Sequence, residues 1–155
     1  MIVNGKSLFN FIDSILEKEG FIKKKDTWYK SYDECICFFS MGKSPYGGYY
    51  EHVMGGFLKE LNNSGNEFPA YYKSDLKYTL ENLADKELIK RTFDLENGEF
   101  TEMEREFVIN ELMEIYVIPF LKDISSKDFI KEALNKYKGL NNRITLKAKE
   151  ALLLK

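Results

Sequence analysis

Between Phe21 and Phe57 the chain reads FIKKKDTWYKSYDECICFFSMGKSPYGGYYEHVMGGF, three apolar, aromatic-rich stretches broken by polar turns. Trp, Tyr, Phe and Ile pack well on a pleated, half-buried surface, so Phe21–Lys30, Glu34–Met41 and Tyr49–Leu58 are predicted strands. Their connections, around Ser31–Asp33 and Lys43–Gly48, are too short for a parallel crossover. The three strands must therefore return antiparallel. Gly55-Gly56 inside the third predicts either a bulge or a close approach of another backbone.

Helical patterns flank this block. Residues 7–19 place Leu8, Phe11, Ile12, Ile15 and Leu16 on one face, with Ser7 as the expected N-cap and Gly20 as the residue that ends the helix in the left-handed conformation. Leu61–Glu67 reads as a polar loop, and the alternation Leu76, Tyr78, Leu80 predicts a fourth strand. A short helix is expected over Lys86–Arg91. Thr101 followed by Glu104 fits a capping box heading a long helix. Its expected apolar stripe runs through Met103, Phe107, Val108, Leu112, Ile115 and Ile118, and Pro119 should kink or restart it near Phe120-Leu121. Ser126 can cap a further helix carrying Phe129, Ile130, Ala133, Leu134 and Tyr137, ended by Gly139. The tail from Asn142 reads as helical, with Ala151-Leu152-Leu153-Leu154 as a docking or self-association patch. The expected fold is α+β in a single domain over 1–155: an N-terminal helix, an antiparallel curved sheet of three to five strands, and C-terminal helices packed on one face.

Composition narrows the function classes. A chain of 155 residues with 44% hydrophobic content can bury a core without disulfides. No apolar run approaches the ~20 residues of a membrane span, and the first twenty residues lack a signal-peptide pattern, so a cytoplasmic protein is expected. The two cysteines, Cys35 and Cys37, share a strand face and read as buried, reduced thiols. With one histidine, His52, too few ligands exist for structural zinc, and no metal or other cofactor is expected. The net charge is −2, and the arginines are Arg91, Arg105 and Arg143 only. An acidic, Arg-poor chain is a poor nucleic-acid binder, so Lys23–Lys25 reads as a solvated strand face, and nucleic-acid binding through Lys23–Lys25 and Trp28 ranks only third.

No stretch carries a complete catalytic pattern. Gly42-Lys43-Ser44 resembles the end of a phosphate loop, but position 37 is Cys, not Gly, and Pro45, Gly47 and Gly48 make a turn where a helix is required. His52 reads as a structural histidine, though Cys37 could face it across adjacent strands. The acids from Asp94 to Glu106 lack the spacing of a calcium loop and suit the head of a helix instead. The positive signal is aromatic. Tyr46, Tyr49 and Tyr50 lie in or beside a Gly-rich turn, where two readings are open: packing on the core, or the anchoring of a partner that tyrosine favours at protein interfaces.

GFIKKKDTWYK, CICFFSM and GKSPYGGYYEHVMGGF together resemble the bacterial family called domain of unknown function 4304. The matching positions are Gly20, Phe21, Lys24, Thr27, Trp28, Tyr29, Lys43, Ser44, Gly47, Tyr50, Gly55 and Phe57. Ile118–Ile130 is similar to that family's turn into its last helices. Gly42 stands where a family Gln is expected, and Val53 where an Asn is expected, so a polar site built on those amides would be altered here. The resemblance implies no established activity; an immunity-type role, masking a toxin domain, follows from it by association only.

The expectation is thus a non-enzymatic, cytosolic protein-binding module of the immunity type, with no nucleic-acid or membrane partner. Tyr46, Tyr49 and Tyr50, with Lys43 and Ser44 in the same turn, are the expected contacts, and Glu99, Glu102 and Glu106 the steering charges. The alternative is a small-ligand-binding or enzymatic protein using a pocket in the curved sheet, with Lys43, Ser44, His52 and Cys37 converging there.

Overall fold

The structure is a computed structural model that describes residues 2–62 and 67–153. Asn63–Asn66, in the middle of the expected polar loop, and Leu154, in the expected C-terminal patch, lie outside the described residues.

Helix α1 spans Gly5–Lys18. Its N-cap is Asn4, not Ser7: the Asn4 side chain accepts from the Ser7 N–H (2.9 Å) while Ser7 Oγ accepts from the Asn4 N–H (3.0 Å). The two residues satisfy each other's donors, so Ser7 serves as the inner half of a reciprocal cap. Gly20 follows at φ +87°, and the N–H of Phe21 reaches back to the Leu16 carbonyl, closing the helix as expected.

Five strands form one antiparallel sheet in chain order: β1 Ile22–Lys24, β2 Thr27–Ser31, β3 Cys35–Lys43, β4 Tyr50–Leu58 and β5 Leu76–Tyr78. The expected strand over Phe21–Lys30 is in fact a tight hairpin, because Lys25 adopts φ +58° and turns the chain at Lys25-Asp26. β3 is central and buried on both faces. Gly55-Gly56 keeps regular register, so the close-approach alternative holds and the bulge does not. A Cβ on Gly55 would overlap the Leu76 carbonyl oxygen and stand 3.1 Å from Lys77 Cα. β5's outer edge is covered in turn: Lys77 N–H donates to Arg143 O (3.2 Å) and Thr145 N–H to Asp75 O (2.8 Å).

The helices pack on one face of the sheet. They are α2 Lys86–Phe93, α3 Glu102–Leu112, α4 Ile118–Asp123, α5 Lys127–Lys136 and α6 Leu146–Ala151. Leu8, Ile12 and Leu16 of α1 join Trp28, Cys37, Phe39, Met54, Ile109, Val117 and Phe120 in the main core. Trp28 is fully buried, and its indole N–H donates to Asp13 Oδ1 at 2.9 Å. The opposite face carries a smaller cluster, Tyr29, Ile36, Phe38 and Phe57, roofed by Phe68 and Tyr71.

The stripe expected on the long helix is corrected. Arg105, Ile109, Leu112, Met113 and Val117 face inward, whereas Met103, Phe107 and Ile115 are exposed (72%, 65% and 56%). Two causes act together. Arg105 is held inside by backbone carbonyls, which rotates α3 away from the orientation its apolar residues would choose. Then Met113–Val117 forms a wide π turn in which the Ile118 N–H bonds the Met113 carbonyl, five residues back. Pro119 supplies the reason: its ring would clash with the carbonyl four residues earlier in a regular α-helix, and it has no N–H to give. The helix runs on through Pro119 by widening. In the tail, Leu152 is buried in the core while Leu153 is exposed, so these residues do not form one patch.

Candidate functional site

The hairpin joining β3 to β4 is closed by Ser44 N–H donating to Tyr49 O (2.8 Å) and tightened by Tyr46 N–H donating to Ser44 Oγ (3.2 Å). This turn lifts Tyr46 clear of the surface at 96% exposure. Its neighbours are placed differently. Tyr49 is half-buried and donates to Glu81 Oε1 at 2.8 Å. Tyr50 is half-buried too, set edge-on to Phe9 with its hydroxyl against Gly5. Lys43 is exposed at the end of β3.

The hairpin is fastened to the acidic loop that follows α2. Tyr49 pairs with Asp94 as an isolated antiparallel bridge, the Leu95 N–H donates to Gly48 O (3.1 Å), and Glu96 lies directly over Gly48. The loop is folded by its own side chains: Asp94 Oδ1 accepts from Glu96 N–H, and Asn97 Oδ1 from Glu99 N–H. Such turns let Asp and Asn replace a backbone acceptor. Glu99 pairs with Arg91 at 3.1 Å on the surface. Glu102 opens α3 beside a shallow hollow lined by Val3, Leu95 and Phe100, and Glu106 sits a turn later next to Ser7, Asn10 and Phe11 of α1. Tyr46, Glu96, Glu99 and Glu102 therefore occupy one end of the molecule.

Arg105 holds that end together, a role not foreseen from the sequence. It is 4% exposed, and its guanidinium donates to the carbonyls of Arg91 (3.1 Å), Thr92 (2.5 Å), Asp94 (3.1 Å) and Asn97 (2.8 Å). Arg91 and Thr92 lie in the last turn of α2, whose carbonyls have no further helical donors. A cation there also meets the negative end of the helix dipole. Burial lowers its pKa and Asp94 opposes that, but guanidinium stays charged. The signal available in the sequence was one arginine among six carboxylates between Asp94 and Glu106.

The catalytic alternative required Lys43, Ser44, His52 and Cys37 to meet. Cys37 pairs with Gly56 and His52 with Met41, four residues apart along the strands and so separated by roughly 13 Å. Cys37 is buried against the carbonyls of Leu121 and Ile124. His52 is flanked by Phe39 and Phe93, ring centroids 6.1 Å and 5.0 Å away, with Nε2 3.5 Å from Glu81 Oε2. Burial pushes its pKa below the ordinary value, only partly offset by Glu81, so the ring is neutral near pH 7. Burial pushes the Cys35 thiol up to about 12 and Cys37 well above its ordinary value, which removes the thiolate a nucleophile needs. A separate cleft of about 440 Å³ opens on the sheet face away from the helices, lined by Asp26, Ser40, Gly42, Lys43, Glu51, Val53 and Tyr71; of the four expected residues Lys43 and His52 border it, while Ser44 and Cys37 do not. His52 touches it through its backbone alone, since its side chain is wholly buried.

Among the described residues no group of three or more His, Cys, Asp or Glu is placed to hold a metal, and no helix is long and apolar enough to cross a membrane. What fold and surface define is an α+β protein with helices on one sheet face and an acidic end bearing a projecting tyrosine. By sequence it belongs to the family described as domain of unknown function (DUF4304), whose model matches residues 12–123. No curated protein and no solved structure matches the chain.

Proposed function

We propose that this protein is a non-enzymatic, cytosolic protein-binding module whose partner presents a basic surface, with an immunity-type role against a toxin domain as the specific form. One observation carries the reading: the hairpin bearing Tyr46 is fastened to the acidic loop, so an aromatic anchor and the carboxylates of Glu96, Glu99 and Glu102 share one end. A tyrosine has few rotatable bonds and supplies contact area at a small entropic cost, and surrounding like charges steer an oppositely charged partner into place. Tyr46 is the expected anchor; Tyr49 and Tyr50 support it from half-buried positions.

The test is calorimetry of the whole protein against the product of the neighbouring gene. Tyr46→Ala should weaken binding at least about tenfold, and Glu99→Lys with Glu102→Lys should slow association and reduce its salt dependence. If that product does not bind, or Tyr46→Ala leaves affinity unchanged, the assignment falls. A second reading, small-ligand binding, is favoured by the cleft between Tyr71 and the strands. A thermal-shift screen checks it, with Val53→Trp expected to abolish any stabilising hit.

A further inference from the structure

The outward face of α3 and the π turn carries apolar residues left largely exposed by the fold: Met103, Phe107 and Ile115. Met103 and Phe107 are one helical turn apart, and Ile115 is exposed about two turns further on. In an uninterrupted α-helix, residues 107 and 115 would diverge by about 80°. The wide turn over Met113–Val117 takes in extra chain without extra rotation, which holds Ile115 nearer the line of Phe107.

Charge along this stretch of helix is mostly of one sign. Between Glu102 and Ile115 stand Glu102, Glu104, Glu106, Glu111 and Glu114, against Arg105 as the single cation. Arg105 is turned inward onto four carbonyls and offers nothing to a visitor. Glu104, Glu111 and Glu114 are exposed, interleaved with the apolar residues.

We propose that this face is a docking site for a basic amphipathic helix of a partner protein: apolar side chains spaced three and four apart, flanked by Lys or Arg. Apolar anchors at that spacing fit a helical face, and the rim of carboxylates selects cations. A second copy of this chain is disfavoured on the same grounds. A two-fold arrangement would set the acidic rims of the two copies, with Glu104, Glu111 and Glu114 on each, against one another with no cation between them, and three apolar side chains fall well short of the ~800 Å² per partner of a stable interface. The inference rests on the reading of the protein as a binding module, and adds a surface separate from Tyr46.

The probe is a synthetic Leu/Lys amphipathic helical peptide, titrated into the full chain by fluorescence anisotropy. Its controls are a Ser/Lys peptide of equal charge and a Leu/Glu peptide of equal hydrophobicity. The Leu/Lys peptide should bind saturably, one per chain. Phe107→Ser should weaken it at least about tenfold, and Met103→Gln with Ile115→Gln should do the same, each with an unchanged circular dichroism spectrum. Tyr46→Ala should leave this binding intact, which separates a failure here from a failure of the hairpin assignment. Absence of Leu/Lys binding, equal binding of either control, or insensitivity to both sets of substitutions overturns the proposal. So does sedimentation showing a dimer that Phe107→Ser dissociates, or stronger association with phosphatidylserine-containing vesicles than with the peptide.

Discussion

Replacing Arg105 with Ala should cost more stability than any other single surface-charge or loop substitution in the 94–106 region. The guanidinium serves four carbonyls, but Nη1 is divided among three of them. We therefore count two full bonds instead of four; at about 1.5–3 kcal/mol for each hydrogen bond to a charged group, the loss is about 3–6 kcal/mol. Thr92 is fully buried, so water cannot readily replace the donor at its carbonyl. That loss is a large share of the ~5–15 kcal/mol typical of a folded domain. Urea denaturation followed by circular dichroism measures it, and with a slope of about 1–3 kcal/mol per molar the midpoint should fall by at least about 1 M. Arg105→Lys should recover only part, since one ammonium cannot reach the acceptors of both Nη1 and Nη2. A loss under about 1 kcal/mol in the alanine variant, below the worth of a single such bond, would refute the reasoning. So would full recovery with lysine.

Gly55→Ala should destabilise by at least about 2 kcal/mol, towards the upper end of overpacking costs, because the new methyl meets the Leu76 carbonyl and backbone must move. Gly42→Ala is the control, with no atom within 4 Å, and should stay within about 0.5 kcal/mol of the parent in the same melts. His52 predicts a pH dependence. Its folded pKa is lowered from 6.5, so as pH falls beneath 6.5 the unfolded chain takes up a proton that the folded chain refuses. Stability from this group is therefore full above pH 6.5 and declines below it, by at most about 1.4 kcal/mol per pH unit. His52→Phe should flatten the difference between pH 7 and pH 5; superimposable pH profiles would contradict the assignment. Cys35 and Cys37 should resist a thiol reagent at pH 8 until urea unfolds the chain, and prompt labelling of the native protein would show the thiols to be accessible.

The strand block was legible because alternation and turn length act locally. β3, β4 and β5 lie within a few residues of their expected spans, and the caps at Thr101 and Ser126 are where the spacing put them. The hairpin at Lys25-Asp26 was not legible, because a lysine adopts the left-handed conformation there and no Gly or Asn marks it. The helix face over 102–118 failed for a non-local reason. Periodicity assumes that charged residues face water, and Arg105 is drawn inward by carbonyls of a loop folded elsewhere. The hairpin and the acidic stretch could each be read as a surface, but the Tyr49–Asp94 bridge that unites them joins residues 45 positions apart. Local patterns carry no trace of it.

The strand of backbone at Arg143–Thr145 that covers β5 lies beyond the family-matched segment, which ends at residue 123. A fragment trimmed to the matched boundaries would begin inside α1, lose α5 and α6, and leave β5 with an open row of donors and acceptors. Unpaired edges of that kind template association with other chains. The unit that likeness recognises is thus shorter than the unit that covers the β5 edge of its sheet, and the trimmed fragment should associate more readily than the full chain.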